Sequence, residues 1–269
     1  MDRSVAWMCG LLFCLIEANC SSVPEHFTPL DAIDPAQLSH QMLNEVLQTH
    51  VKDGLVNYPG IQADHRFAAY LSLLDRVNPL ALSTERDRLA FWINAYNACA
   101  IQGILDGYSP KPYIDWYRYF KTHTYAIGGA RLNLSDLEHE ILRKQFHEPR
   151  IHFAIVCASS SCPRLPSWAY DGAQLNQQLD QAARAFINDP TRNRFDRQER
   201  IAYLSKIFDW FEDDFATNSG SVLPFVAQYV HEADLARELA QRVYRIAYLD
   251  YDWSLNGPPP KETPHVGSQ

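Results

Sequence analysis

The sequence has no Cys-x-x-Cys pair and no His-Glu-x-x-His, although it holds six Cys and ten His. It also has no Gly-rich phosphate loop and no Gly-x-Ser-x-Gly elbow. Zinc ribbons, zincin proteases, P-loop nucleotide sites and serine-hydrolase elbows all need those spacings, so no cofactor and no metal is expected. Basic residues are scarce: Lys plus Arg is 24 against 32 Asp plus Glu, a net charge of -8, with no run of five Lys/Arg. A nucleic-acid binder needs a positive footprint, so no nucleic-acid partner is expected. Glycine is scarce at 11 residues, which excludes collagen. Long apolar runs are missing too. The stretch Val5–Ile16 covers twelve residues, short of the roughly 20 that a spanning helix needs, and nothing later approaches that length. No membrane span is expected in the mature chain.

What remains is a chain of 269 residues with 46% hydrophobic residues, enough to bury a sizeable core. Arg3, the apolar stretch and the small or polar residues Ala18 to Ser22 read as a secretory signal over residues 1–20, cut near Cys20. The protein is then exported, periplasmic or secreted; the alternatives are a lipid anchor at Cys20 or an uncleaved N-terminal anchor. A linker follows over 21–34, one domain over 35–256, and a Pro/Gly-rich disordered tail over 257–269. Cys99, Cys157 and Cys162 stay in the mature chain. Their odd count leaves at least one thiol unpaired, and Cys157 and Cys162 are close enough in sequence to form a disulfide.

Helical spacing covers 35–51 and 64–77, and a strand is expected at Leu55–Tyr58. The strongest helix runs from about Thr84 to Leu105 and is apolar almost all round, so it belongs in the middle of the core. Asn94 and Asn97 interrupt it on one face. Tyr125–Leu132 reads as a hairpin turned by Gly128-Gly129. Ser135-Asp136-Leu137-Glu138 reads as a capping box, and Ile151–Cys157 as a buried strand. Helices are expected at 175–187, 207–215, 222–230 and 235–243, with strands at 201–204 and 244–249. The fold class is therefore α+β: helix-rich, with a central buried helix packed on a small, mostly antiparallel sheet.

Chemistry concentrates in the Ser159-Ser160-Ser161-Cys162-Pro163 loop that follows the apolar run. Cys162 is a candidate nucleophile if a His favours its thiolate. His139 and His152 are the nearest candidate bases. Strand parity turns His152 away from Cys157 but leaves Cys162 within its reach. Glu138 and Asn94, with Asn97, complete the candidate set. The bland alternative is a structural Cys157–Cys162 bridge. The aromatic run Tyr113, Trp116, Tyr117, Tyr119 and Phe120 fits a groove or, more readily, a connection packed onto the core. Glu212-Asp213-Asp214 lacks the spaced ligands of a calcium loop and reads as a solvated helix end. Asn133-Leu134-Ser135 matches the N-glycosylation triplet.

The motifs Phe91–Ala98, Leu134–His139, Arg150–Ala154, Ser161-Cys162-Pro163, Leu204–Phe211 and Tyr251–Asn256 resemble the domain-of-unknown-function family 547, in order and spacing, from about residue 40 to 256. That family implies no agreed activity. The buried helix followed by a small sheet is similar to the papain and transglutaminase-like group, which carries its nucleophilic Cys at the start of the central helix. Here that helix starts Ser83-Thr84-Glu85, with no Cys. The expectation is therefore a non-catalytic binding domain for a peptide or envelope component. The alternative is a thiol-dependent hydrolase or acyl transferase using Cys162 with a His base. Both need the polar groups of the Ser/Cys turn and the two Asn to meet in one solvent-reachable hollow.

Overall fold

Thr84 lies in extended backbone, and its Oγ accepts from the Asp87 N–H at 3.1 Å while the Asp87 carboxylate accepts from the Thr84 N–H at 3.2 Å. This reciprocal cap satisfies two donors that a helix start leaves open. It launches α4, Glu85–Leu105. Gly107 follows at φ +86°, a left-handed conformation that suits glycine just past a helix end. In the computed structural model, which describes residues 23–261, every residue from Leu89 to Ile101 is buried. The expected signal over 1–20 and the last eight residues of the tail lie outside the described residues.

Two apolar clusters make up the interior. The first surrounds α4. It takes Leu43, Val46 and Leu47 from α1 (Gln41–His50), and Tyr58 and Ile61 from α2 (Tyr58–Gln62). Phe67, Tyr70 and Leu74 come from α3 (His65–Asp75). The hairpin of β3 (Tyr125–Ile127) and β4 (Ala130–Leu132) adds Ile127 and Leu132. Its turn holds Gly128 at φ +62° and Gly129 at φ +80°, as the Gly-Gly pair predicts. Residues 23–34, expected as a linker, also contribute: Phe27 is buried with its ring 5.6 Å from that of Trp92.

The second cluster lies between α5 (Leu175–Ile187), α6 (Glu212–Ser219), α7 (Val222–Ala227), α8 (Ala233–Ala240) and a three-stranded sheet. In that sheet β5 (Arg194–Asp196) runs antiparallel to β6 (Ile201–Leu204), and β6 runs parallel to β7 (Arg245–Tyr248). A parallel pair needs a long crossover, and α6 to α8 supply it. A third antiparallel pair, β1 (Val51–Lys52) with β2 (Leu55–Val56), closes at Asp53-Gly54. The molecule is thus α+β and helix-rich, with small sheets that are antiparallel apart from the β6–β7 pair.

Several local expectations need correcting. Ile151–Cys157 is not a strand. Glu148 caps, and Pro149 opens, a 3₁₀ turn over Pro149–Phe153. The run is apolar because it threads between the two clusters, with Ile151 in the first and Phe153 in the second. The parity argument for His152 and Cys157 falls with it. The strand expected at Leu55–Tyr58 stops at Val56, because Asn57 caps α2 and Tyr58 opens it. The expected helix over 207–215 breaks at Phe211 into Ile207–Trp210 and α6. The Ser135 cap is displaced two residues: Asn133 Oδ1 accepts from the Asp136 N–H at 2.8 Å, and the Asn133 N–H donates to Asp136 Oδ2 at 3.3 Å. Asn133 is buried and also donates to the Lys121 carbonyl, so the glycosylation triplet is closed to modification. The first residues of the expected disordered tail are tied down, since Lys261 N–H donates to Gln62 Oε1 and Gln62 Nε2 donates to the Lys261 carbonyl.

Candidate functional site

The two Asn of α4 do not reach a cleft. Asn94 is 1% exposed; its Nδ2 donates to the Tyr170 carbonyl at 2.7 Å and its Oδ1 accepts from the Tyr170 N–H at 2.9 Å. Asn97 does the same one turn on, donating to the Ala154 carbonyl at 2.9 Å and accepting from the Val156 N–H at 2.8 Å. Each amide imitates a strand partner for an irregular segment that has none. Both Asn are pegs that hold chain to the central helix, and the Asn94 amide spends its hydrogen bonds on the Tyr170 backbone.

Asn97 thereby fixes the backbone that leads into the Ser/Cys turn. Cys157 and Cys162 are joined as a disulfide, with Cα atoms 6.3 Å apart. Between them Ala158 holds φ +65°, a left-handed conformation that costs an alanine about 1 kcal/mol or more. The C-terminal segment holds the turn in this shape. Asn256 N–H donates to the Ala158 carbonyl at 3.0 Å, Ser160 N–H to Ser254 O at 2.7 Å, and Ser161 N–H to Asp252 O at 3.1 Å. Asn256 also accepts from the buried Tyr58 hydroxyl at 2.7 Å.

One side chain of that segment sits on the sulfurs. Tyr251 donates its hydroxyl proton to Cys162 Sγ at 3.2 Å and accepts from Ser159 Oγ at 2.9 Å. Burial pushes the Tyr251 phenol up, so it stays protonated and remains a donor. Cys157 N–H also points at Cys162 Sγ, at 3.1 Å. Beyond the turn is a hollow of about 240 Å³ lined by Leu55, Ser160, Cys162, Arg164, Arg192 and Asn256, among others. Arg164 is engaged with Asp189 and with the Asp53 carbonyl. Arg192 Nη1 donates to Thr191 Oγ1 at 3.4 Å, but its Nε is buried without a hydrogen-bond partner among the described residues. Desolvation lowers the Arg192 pKa below its ordinary value. Beside Tyr251 stand Trp253 and Trp210, ring centroids 4.5 and 4.8 Å away, and Trp210 is 44% exposed. A larger, more open groove of about 610 Å³ runs along α5 past Arg184 and His231. It holds none of the candidate residues.

The histidines form a second constellation, His139 on the π-helical segment Asp136–Arg143 and His152 on the Pro149–Phe153 turn, both near Asp214 of α6. Arg143 grips Asp214 with two hydrogen bonds, Nε to Oδ2 at 2.6 Å and Nη2 to Oδ1 at 3.0 Å. His152 is buried, stacks on Phe211 at 4.0 Å and sets Nε2 against Asp214 Oδ2 at 2.7 Å. The carboxylate can only accept, so the His152 proton is on Nε2. Burial works to raise the Asp214 carboxyl, but hydrogen bonds from His152 and from the charged Arg143 hold it far below the usual carboxylate range. Burial pushes both His152 and His139 down, which keeps both rings neutral at pH 7. Arg143 Nη1 stands 2.8 Å from His139 Nδ1. A guanidinium can only donate, so the His139 lone pair is taken and Nε2 carries the proton. Glu138 Oε2 accepts from the buried Tyr96 hydroxyl at 3.3 Å.

The disulfide leaves Cys162 no thiol, His139 no free base nitrogen, and neither ring hydrogen-bonds a sulfur. Cys162, His139, His152 and Glu138 therefore do not assemble as a nucleophile with its base. Asp214, read as part of a solvated helix end, is the hub of the histidine network instead. Sequence reasoning missed Asp214, Arg192 and the role of Tyr251. For Tyr251 the signal was available, since it opens one of the recurring motifs. The aromatic run at 113–120 divides: Tyr119 and Phe120 are buried in the core, while Tyr113 is 91% exposed. Among the described residues no group of three or more His, Cys, Asp and Glu is placed to hold a metal ion, and no helix is long and apolar enough to cross a membrane.

No curated protein and no solved structure matches the chain. Residues 80–187 match a family model described as a protein of unknown function, DUF547. The matched stretch runs through α4, the π-helical segment and the Ser/Cys turn to the last residue of α5. The motifs at 204–211 and 251–256 lie outside it, so Asp214, Arg192, Tyr251 and Asn256 come from flanking chain. Over residues 80–187, and not beyond, the chain is similar to the DUF547 family.

Proposed function

We propose that the chain is an exported binding domain for a peptide or another envelope component, recognised at the hollow of the Ser/Cys turn and on the rings of Trp210, Tyr251 and Trp253. One observation carries the reading: Arg192 Nε is buried beside that hollow with no acceptor among the described residues. A buried N–H left unmade costs about 1–3 kcal/mol, which a carbonyl or carboxylate of a ligand recovers. About 240 Å³ is below the size of a drug-like pocket, so the hollow suits one residue or a terminal carboxylate. The aromatic rings extend the surface for what lies beside it. Export is supported by the apolar stretch Val5–Ile16 and by a disulfide suited to an oxidising compartment.

The thiol-hydrolase alternative has no such support, because its nucleophile is bridged and its bases are engaged elsewhere. The test is a titration of the protein with short peptides bearing a free C-terminal carboxylate, and with their amides, followed by tryptophan fluorescence. Arg192→Gln is expected to weaken binding at least tenfold with the fold intact, and Trp210→Ala to weaken it without loss of stability. A fluorescence signal that no peptide moves, or Arg192→Gln binding as tightly as the parent, would overturn the reading.

A further inference from the structure

We propose that the Cys157–Cys162 bridge is an exchangeable disulfide with which the protein oxidises a dithiol substrate. The two sulfurs stand in unequal surroundings. Cys162 Sγ receives two donors, the Cys157 N–H at 3.1 Å and the Tyr251 hydroxyl at 3.2 Å. Cys157 Sγ has longer contacts, 3.3 Å to Ser159 Oγ and 3.4 Å to Tyr251 Oη. Cys162 is 4% exposed, whereas Cys157 is half-buried. Solvent thus reaches the residue that would be attacked, and the donors collect on the sulfur that would leave. Hydrogen bonds to sulfur are weak while it is in a disulfide and become charge-assisted once it is a thiolate. Arg192, on the hollow that Cys162 lines, adds positive charge, and Glu138 acts on Tyr251 with the opposite sign. Ser159 Oγ donates to Tyr251 and Tyr251 donates to Cys162, so a proton path leads to the leaving sulfur.

The step balances as follows. A substrate thiolate attacks Cys157 Sγ, the S–S bond breaks, and its electron pair leaves on Cys162. The substrate is then joined to Cys157 as a mixed disulfide. The second substrate thiolate attacks the substrate sulfur of that bond and Cys157 leaves as a thiolate. The protein disulfide takes up two electrons, the substrate dithiol becomes a disulfide, and the two protons pass from substrate to protein. Leaving-group stabilisation speeds such exchange. The inference stands apart from the peptide reading, since a small dithiol needs no seat on the aromatic rings.

The test uses the full chain and dithiothreitol at one fixed pH. Samples are quenched with an alkylating reagent, and peptide mapping assigns the label to Cys157 and Cys162. Both cysteines are expected to label in the native state, at denaturant concentrations far below the unfolding transition. Tyr251→Phe is expected to slow reduction about tenfold by removing a hydrogen bond to a charged group. Ser159→Ala keeps the Tyr251 hydroxyl and is expected to slow it less, which guards against misfolding of the first variant. Cys162→Ser is expected to trap a mixed disulfide with glutathione on Cys157. Reduction that occurs only with global unfolding, or parental rates in both Tyr251→Phe and Ser159→Ala, would overturn the proposal. So would first attack that maps to Cys162.

Discussion

Replacing Asn97 by Ala separates the peg from the catalytic amide that its sequence position suggests. The side chain makes two hydrogen bonds, both to backbone, at 2.9 Å to Ala154 O and 2.8 Å to Val156 N. It is 4% exposed. Truncation strands one carbonyl and one N–H away from water, each at about 1–3 kcal/mol, so the loss should fall at about 2–6 kcal/mol. Stability of that size lowers Tm by roughly 2–4 °C per kcal/mol in a chain of this length, so a fall of several degrees is expected. Asn97→Asp should do no better, because it keeps an acceptor for Val156 but loses the donor to Ala154 and buries a charge. Urea unfolding followed by circular dichroism reads the effect directly. A loss under about 1 kcal/mol with an unchanged denaturant slope would refute the reasoning, since water would then be reaching both backbone groups.

Thr84→Ala removes half of the α4 cap and should cost about 1 kcal/mol in the same assay, with Thr84→Ser close to the parent. His40, packed between Tyr70 and Phe91, is pushed down to about 4 by burial, against the pull of Asp171 and Asp87. The unfolded chain therefore takes up a proton below about pH 6.5 that the folded chain refuses until about pH 4, and stability falls as pH drops through that window. The His40 share is about 3 kcal/mol, and His40→Gln should flatten the profile by that much between pH 7 and pH 4. Unfolding curves at the two pH values check it. Gly257→Ala places a Cβ 2.0 Å from the Val56 carbonyl, so the 254–257 segment must lift from β2; limited proteolysis should cut it faster than in the parent.

The helices legible in the sequence were those with both a pattern and a punctuation mark. Thr84 and Gly107 bracket α4, and Asn188-Asp189-Pro190 ends α5. The failures share one cause. Ile151–Cys157 is as apolar as a buried strand, and periodicity cannot separate a strand from irregular chain threaded through a core. What decides is where the backbone hydrogen bonds go: Ala154 and Ile155 turn back to the Ile151 carbonyl, and Val156 N–H goes to Asn97, 59 residues earlier. That pairing leaves no local trace. The two Asn were visible as oddities on an apolar helix, but a buried amide serving backbone and one serving a substrate look alike until their partners are known.

The same limit governs the site. A Ser- and Cys-rich loop between an apolar run and a proline signals that something is exposed there, and the turn is indeed where the structure gathers donors, a guanidinium and aromatic rings. Its character is set by residues far along the chain. Tyr251 reaches the sulfurs from 89 positions beyond Cys162, and Asp214 reaches His152 across 62. Those contacts reverse the expected roles: His152 and His139 are held neutral and spoken for by Asp214 and Arg143, while a tyrosine with no acid–base signature of its own directs a proton at Cys162. Burial keeps Tyr251 protonated and the disulfide keeps Cys162 electrophilic. The chemistry open to this turn is therefore attack upon sulfur, not attack by it.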